Sequence, residues 1–295
     1  MKSPKIIISI PAFNEERTLP KVLEEIKVVM KKTKYKYEIL VLNDGSKDKT
    51  VEVAKKHGAV VVSNRRNRGL AFTFKHEMKV CLERKADIIV HTDADGQYHS
   101  KHIPELIAKV EEGWDLVLGS RFKGRIQYMP LMKRLGNVAF SKVLSNFTGK
   151  AISDSTTGYR AFTSEVAREI EYINTFTYTQ EQIIKAAKQG FRITDIPILA
   201  RKTRASRLFK GPLQYAIKAW INIMRIYRDY DPLKFFGRIG LSMIAFGSVI
   251  GVWLVYRWIT LGFVGRLPST ILAMLLLLAG MQVILFGFLA DMLRK

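Results

Sequence analysis

The chain has 295 residues, with 48 Lys+Arg against 26 Asp+Glu and a formal charge of +22. That length supports one or two well-cored domains, and the charge points to phosphate-bearing partners: nucleic acid, an anionic membrane surface or a phosphorylated substrate. A single cysteine, Cys81, excludes an intrachain disulfide and suits a reducing compartment.

The first predicted element is "KIIISI", an apolar run that stops at Pro11 and is too short for the core of a secretion signal, so the N-terminal part is expected to stay in the cytoplasm. Strand-like and helix-patterned segments then alternate: Leu19 to Met30, "YEILVL", Thr50 to His57, "AVVVS", Leu70 to Leu82, "ADIIV", His102 to Glu111 and "LVLGS". Such alternation predicts an α/β domain with a mostly parallel sheet covered on both faces. Sheets of this kind bind ligands beyond the carboxyl ends of their strands. Three predicted strands end in polar clusters, "PAFNEE", "NDGSKDKT" and "DADGQY", which are expected to converge on one crevice. No internal repeat or low-complexity segment interrupts the pattern.

Towards the C-terminus, Gly211 to Gly237 places Leu213, Ile217, Trp220, Ile221 and Met224 on one helical face. Lys218, Arg225 and Arg228 lie elsewhere, the pattern of a helix resting in a membrane interface. Ile239 to Tyr256 and Thr270 to Leu289 are uncharged and long enough to cross a bilayer. Lys234 and Arg238 before the first span, and Arg294 and Lys295 after the second, predict both termini on the cytoplasmic side. Trp253, Tyr256 and Trp258 fit an interfacial aromatic belt, and Gln282 is expected to hydrogen-bond to the neighbouring helix.

The chemistry concentrates at "TDADGQYH". Asp93 and Asp95 at a strand end are hard oxygen donors able to hold Mg²⁺ or Mn²⁺ while a diphosphate completes the coordination, and Gln97 is placed to add another oxygen. A D-x-D pair alone also suits an ordinary turn; the surrounding clusters give it weight. Asn43-Asp44-Gly45-Ser46 reads either as an Asx turn or as a carboxylate that accepts hydrogen bonds from a nucleobase or ribose, and Asn14 or Thr18 could start a helix. His91, His99 and His102 crowd the motif, but their spacing makes no convincing zinc ligand set.

In these motifs the chain resembles the family 2 glycosyltransferases of the Rossmann-like GT-A nucleotide-sugar-binding fold, and within them the dolichol- and polyprenol-phosphate glycosyltransferases. The resemblance runs through "IPAFNEE", "VLNDGSKDKT", "NRGLAFTFKHEM", "TDADGQYH", "LGSRF", "DSTTGYRAF" and "RDYDPLKFFG". It implies Asp95 and Gln97 as metal ligands with Asp93 at the metal or the donor sugar. Pro11, Phe13, Asn14, Glu15, Asp44 and Ala94 then surround the nucleotide sugar, and the loop Asn64 to Gly69 lies near the donor pocket. It further implies Asp154 as a site-shaping acid and Glu181 as a base or a partner of the acceptor loop, both counted with Asp93, Asp95 and Arg204 among the catalytic candidates.

A lipid monophosphate is already mostly dianionic at neutral pH, so its site needs cations more than a strong base. The candidates are Arg121, Lys133, Arg134, Arg160, Arg201, Arg204 and Arg207, with Asn137 and Ser206 alongside. The family's late motif carries a Gly that Arg204-Ala205-Ser206-Arg207 lacks, which leaves the choice between Arg201 and Arg204 open. The expected organisation is a catalytic domain over 1–207, a juxtamembrane amphipathic segment over 208–236 and a hairpin of two transmembrane helices over 237–295.

The expected reaction is metal-dependent, inverting hexose transfer from a nucleotide sugar to dolichyl or polyprenyl phosphate. GDP-mannose is the favoured donor, with UDP-glucose and UDP-N-acetylglucosamine as alternatives. The expected partners are therefore the nucleotide sugar, the lipid phosphate, the bilayer of the cell membrane and a second copy of the chain through the spans, with no nucleic acid. A processive polysaccharide synthase is disfavoured because the Gln-x-x-Arg-Trp signature is absent. A tethered nucleic-acid-binding protein would explain the charge but not the aspartates.

Overall fold

The structure is a computed structural model and describes residues 3–172, 178–202, 221, 224–225, 228–264 and 267–293. The chain forms two compact units, Met1–Pro212 and Leu213–Lys295.

The first unit is built on a seven-stranded sheet: β1 (Ile6–Ala12), β2 (Tyr37–Asn43), β3 (Val60–Ser63), β4 (Ile88–His91), β5 (Leu116–Ile126), β6 (Arg160–Thr163) and β7 (Ile193–Ala200), in the order β3-β2-β1-β4-β6-β5-β7. Every pairing is parallel except those of β6, which runs antiparallel between β4 and β5. Ile6, Ile8 and Ile10 of β1 enter one core with Leu19, Leu23 and Ile26 of α1 (Leu19–Met30), whose apolar residues recur every three or four positions. The intervening Ser9 turns to the other face, which α3 (Leu70–Glu83) covers. The remaining helices are α2 (Thr50–Lys56), α4 (Ile103–Glu111), α5 (Leu131–Thr148), α6 (Ser164–Glu169) and α7 (Thr179–Lys188). From β1 the chain moves outward through β2 and β3, then returns to β4 on the other side of β1. The sheet order therefore reverses at the β1/β4 boundary, and the carboxyl ends of strands at such a reversal are where open α/β sheets place a ligand crevice.

The second unit contains α8 (Pro232–Leu261) and α9 (Leu267–Met292), with mean hydropathies of 2.0 and 2.5 over their best windows. The boundary expected at residue 237 falls inside α8, because nothing in "PLKFFG" after its leading proline breaks a helix. Small residues set the seam. Gly240 and Gly247 of α8 are buried with Ala273, Gly280 and Gly287 of α9, each series spaced by seven. A methyl on Gly240 would lie 2.6 Å from the Gly280 carbonyl oxygen, so the backbones touch there. Gln282 is exposed on the outside of the pair rather than bonded across this seam, since backbone contact leaves it no room there. Trp253, Tyr256 and Trp258 also face outward. Of the expected interfacial face, Ile221 and Met224 are described, while Leu213, Ile217 and Trp220 lie outside the described residues.

Candidate active site

The three polar clusters meet at the β1/β4 boundary. β1 ends in a turn at Asn14, whose φ is 55°. Its backbone N–H donates to Ser46 Oγ (2.9 Å), and its Oδ1 accepts from the Lys47 amide (2.9 Å). The Glu15 amide donates to Thr50 Oγ1 (2.8 Å), and Glu15 Oε2 accepts from Thr18 Oγ1 (2.7 Å). These bonds clamp the β1 end, with Pro11 and Phe13 half-buried beside it, to the segment after β2.

Asp44 is buried and already engaged. Its Oδ1 accepts from Asn64 Nδ2 (2.8 Å) and the Arg68 amide (3.0 Å), and its Oδ2 accepts from the Gly69 amide (2.9 Å). A carboxylate offers about four acceptor directions, so about one remains for a ligand. The 64–69 loop is thereby drawn against Gly45, where a methyl would stand 2.6 Å from the Arg66 carbonyl carbon; only glycine fits.

β4 delivers Asp93 and Asp95 to the same edge. Asp95 Oδ1 accepts from the Gln97 amide (2.9 Å), closing an Asx turn, and the Gln97 carbonyl accepts from the Arg201 amide (2.9 Å). Ala94 is buried between the two acids. The antiparallel strand matters here: the register pairs His91 with Arg160, so extending it by two residues sets Gly158 opposite Asp93. A methyl on Gly158 would lie 3.0 and 3.2 Å from the two Asp93 oxygens and 3.3 Å from Tyr178 Oη. Burial, followed by the charge of Asp95, pushes the Asp93 carboxyl up to about 6. Two carboxylates in mutual repulsion offer hard oxygen ligands that suit Mg²⁺ or Mn²⁺. Among the described residues, no three His, Cys, Asp or Glu side chains form a self-sufficient metal cage. A diphosphate would complete the coordination.

The three histidines are separately employed: His91 Nδ1 lies 2.8 Å from Glu77, His102 Nδ1 lies 2.9 Å from Glu105, and His99 Nδ1 accepts from the Lys101 amide (3.3 Å).

The cations divide sharply. Arg121 forms a buried fork on Asp154, Nε to Oδ2 at 2.7 Å and Nη2 to Oδ1 at 2.9 Å, with a further bond to Thr156 Oγ1 (2.7 Å). Burial would depress the guanidinium, but Tyr98 and Asp154 outweigh it and hold Arg121 above its ordinary range. Arg160 is fully buried beneath the crevice, its Nη1 donating to the Thr179 carbonyl (3.1 Å) and Gln182 Oε1 (2.8 Å) and its Nη2 to the Thr157 carbonyl. The acceptor role expected of it does not suit that position. Arg201 turns away to Glu25 of α1, with both oxygens about 3.0 Å from Nη1. Glu181 is buried and pairs with Lys185 at 3.0 Å. Arg204, Ser206 and Arg207 lie outside the described residues.

Lys133 on α5 is half-buried, and burial, with the nearby Arg121 charge, lowers its pKa while Asp95 opposes the shift. Asn137 is buried one turn on and Arg134 is exposed. Beside them Leu131, Met132, Leu135 and Val138 are 46–69% exposed, an apolar surface next to a charged crevice. Sequence reading drew no helix there, because an outward apolar face breaks the buried-stripe pattern. It also passed over Glu77, Tyr178 and Gly158, although a carboxylate flanked by Phe74, Met78 and Cys81 on a buried helical face was a legible signal.

A mostly parallel sheet with one reversed strand, whose switch point gathers two aspartates and a clamped turn, defines the GT-A class of glycosyltransferases. Known proteins agree with that class. The model described as glycosyl transferase family 2 matches residues 7–171, and that for the glycosyltransferase family 2 C-terminal transmembrane region matches residues 224–294. The chain belongs to glycosyltransferase family 2 and carries that transmembrane region.

An uncharacterized protein of Methanocaldococcus jannaschii is 38% identical over 66% of this chain and 80% of its own length. A dolichyl-phosphate hexose transferase of Haloferax volcanii is 31% identical over 64% and 80%. A UDP-N-acetylglucosamine–dolichyl-phosphate N-acetylglucosaminyltransferase of Methanococcus voltae is 29% identical over 67% and 86%. Among solved structures, glucosyl-3-phosphoglycerate synthase of Mycobacterium tuberculosis superposes with a TM-score of 0.59 at 20% identity, over 75% of this chain and 80% of that one, and shares the fold.

Proposed function

We propose that this glycosyltransferase moves a hexose from a nucleoside-diphosphate sugar to a polyprenyl or dolichyl phosphate in one inverting displacement at the membrane surface. The observation that carries the reading is the nearness of Lys133, on an outward-facing apolar helix, to Asp95 of the acidic pair. One side suits a diphosphate and the other a lipid bearing an anionic head.

In this reading Pro11, Phe13, Glu15 and Asp44 hold the nucleoside, with Asp44 using its remaining acceptor direction. Asp93, Asp95 and the Gln97 side-chain oxygen would hold Mg²⁺ or Mn²⁺, which when bound neutralises charge on the leaving diphosphate. A phosphate oxygen of the lipid forms the new bond to the anomeric carbon as the bond to the diphosphate oxygen breaks. The dianion needs no base, so Lys133 serves to draw it in and orient it while Arg121, clasped by Asp154, fixes the wall beside it. Arg160 and Arg201 are left out of the acceptor set because their guanidinium groups are spent on Gln182 and Glu25.

The membrane unit keeps the catalytic unit at the surface where the lipid resides, with the active site and both termini cytoplasmic. GDP-mannose is the first donor to test. UDP-linked hexoses follow directly, since one relative is named for UDP-N-acetylglucosamine. The test is a panel of nucleotide sugars with Mn²⁺ and a short polyprenyl phosphate, read by mass spectrometry. The expected product is a lipid-phosphate hexose with release of the nucleoside diphosphate, abolished in a folded Asp95→Ala variant. Turnover by Asp95→Ala near the wild-type rate would overturn the assignment.

A further inference from the structure

Behind Asp93 lies a line of buried polar groups that the reaction does not use. Glu77 and His91 are completely buried. Glu77 Oε1 accepts from Ser9 Oγ and lies 2.8 Å from His91 Nδ1, while Glu77 Oε2 has no hydrogen-bond partner. A carboxylate donates nothing when ionised, so the Nδ1 proton belongs to His91, and the opposite ring nitrogen, Nε2, meets Tyr178 Oη at 2.7 Å.

The Tyr178 ring is held flat. It stacks on Phe74 with centroids 3.6 Å apart and planes 6° from parallel, and the Arg160 guanidinium lies 5.4 Å over it. Its hydroxyl ends the line in the small space above Gly158 that the Asp93 oxygens share. The Gly158 amide, in turn, donates to Tyr98 Oη at 3.1 Å.

A carboxylate and an imidazole sealed in a core cost stability that an apolar pair would not. Their place directly behind a carboxylate of the metal-binding motif supplies the reason. Resting on the metal-dependent reading above, we infer that Glu77, His91 and Tyr178 are positioning residues: Glu77 holds the Nδ1 proton and fixes the His91 ring, His91 Nε2 accepts the Tyr178 hydroxyl proton, and the hydroxyl oxygen so fixed bounds the space beside Gly158 that keeps the Asp93 carboxylate in place for the cation. Residues behind a metal ligand commonly change affinity or activity by about 10–100-fold when altered.

The test uses the full chain in detergent, with Mn²⁺ binding followed by electron paramagnetic resonance in the presence of UDP and, separately, GDP. Tyr178→Phe keeps the stack on Phe74 and removes only the hydroxyl. It is expected to weaken Mn²⁺ binding by about 10-fold and to lower kcat more than it raises KM for the sugar nucleotide. Glu77→Gln, which keeps the shape and one acceptor, is expected to follow in the same direction. Tyr172→Phe is the control, because Tyr172 also packs on Phe74 and also loses a buried hydroxyl, one that accepts from Gln182. It is expected to leave Mn²⁺ binding unchanged.

Wild-type affinity in Tyr178→Phe, alongside lost binding in Asp95→Ala, would overturn the positioning chain and spare the metal reading. Equal losses in Tyr178→Phe and Tyr172→Phe would reduce the chain to packing and overturn it too. Absence of Mn²⁺ binding by the wild-type protein with either nucleotide would remove both ideas.

Discussion

Replacing Asp154 with alanine strands a guanidinium inside the protein. Asp154 is fully buried and Arg121 is 4% exposed. The carboxylate accepts from Arg121 Nε (2.7 Å), Nη2 (2.9 Å) and the backbone amide (3.1 Å), and after its removal Thr156 Oγ1 is the one hydrogen-bond acceptor left to the charged group among the described residues. Breaking such a pair costs about 3–5 kcal/mol. The lower end applies here, because Asp93 stands near enough to compensate part of the charge. A unit of this size loses roughly 2–4 °C per kcal/mol, so the melting temperature should fall by about 6–12 °C. Differential scanning fluorimetry of the full chain in detergent measures it. The double variant Arg121→Met/Asp154→Leu removes both charges and should recover to within about 1 kcal/mol of the parent, while transfer activity stays low for want of the Arg121 charge. A shift under about 2 °C in Asp154→Ala would refute the claim that this pair holds the wall of the crevice.

Gly158→Ala should displace the Asp93 carboxylate from 3.0 Å contact, reducing Mn²⁺ binding and turnover by about 10-fold or more with a small change in melting temperature; unchanged Mn²⁺ binding would contradict it. The Asp93 pKa, raised from 3.8 to about 6, makes the folded protein hold a proton that the unfolded chain releases. Metal-free stability from this group should therefore fall as pH rises from 4 to 6, and Mn²⁺ with nucleotide should raise the melting temperature at pH 7.5 far more than at pH 5. Equal stabilisation at both values would exclude the linkage. Lys133→Ala should raise KM for the lipid acceptor several-fold and leave that of the sugar nucleotide unaltered in a steady-state assay. In the second unit, Gly240→Leu would drive a side chain to 2.5 Å from Ile284 and should cost roughly 1–3 kcal/mol, read as faster proteolysis of the link between the two apolar helices.

Much of this architecture could be read from the residues. The runs ending at Ala12, Asn43 and His91 are mostly apolar and are followed abruptly by polar clusters, so the strands and their acidic ends could be read together. Both long apolar helices were visible from hydropathy alone. The second half of the catalytic unit was harder. β6 is four residues long and hides in a motif, β7 contains a proline, and α5 turns apolar side chains outward. Asp93 and Asp95 were legible because they are neighbours in sequence, whereas Tyr178 reaches His91 across 87 positions and only folding joins them. Charge misled most at Arg160, since no local pattern distinguishes a guanidinium buried among carbonyls from one facing a substrate.

The lone reversed strand has one further consequence. Pairing of His91 with Arg160 pins the chain on one side of residues 127–153, and β5 pins it on the other. Whatever lies between these two fixed points, including α5, can lengthen or be exchanged without shifting the acidic end of β4. If α5 receives the acceptor as proposed, such an arrangement would let acceptor preference change while the acidic strand end keeps its geometry.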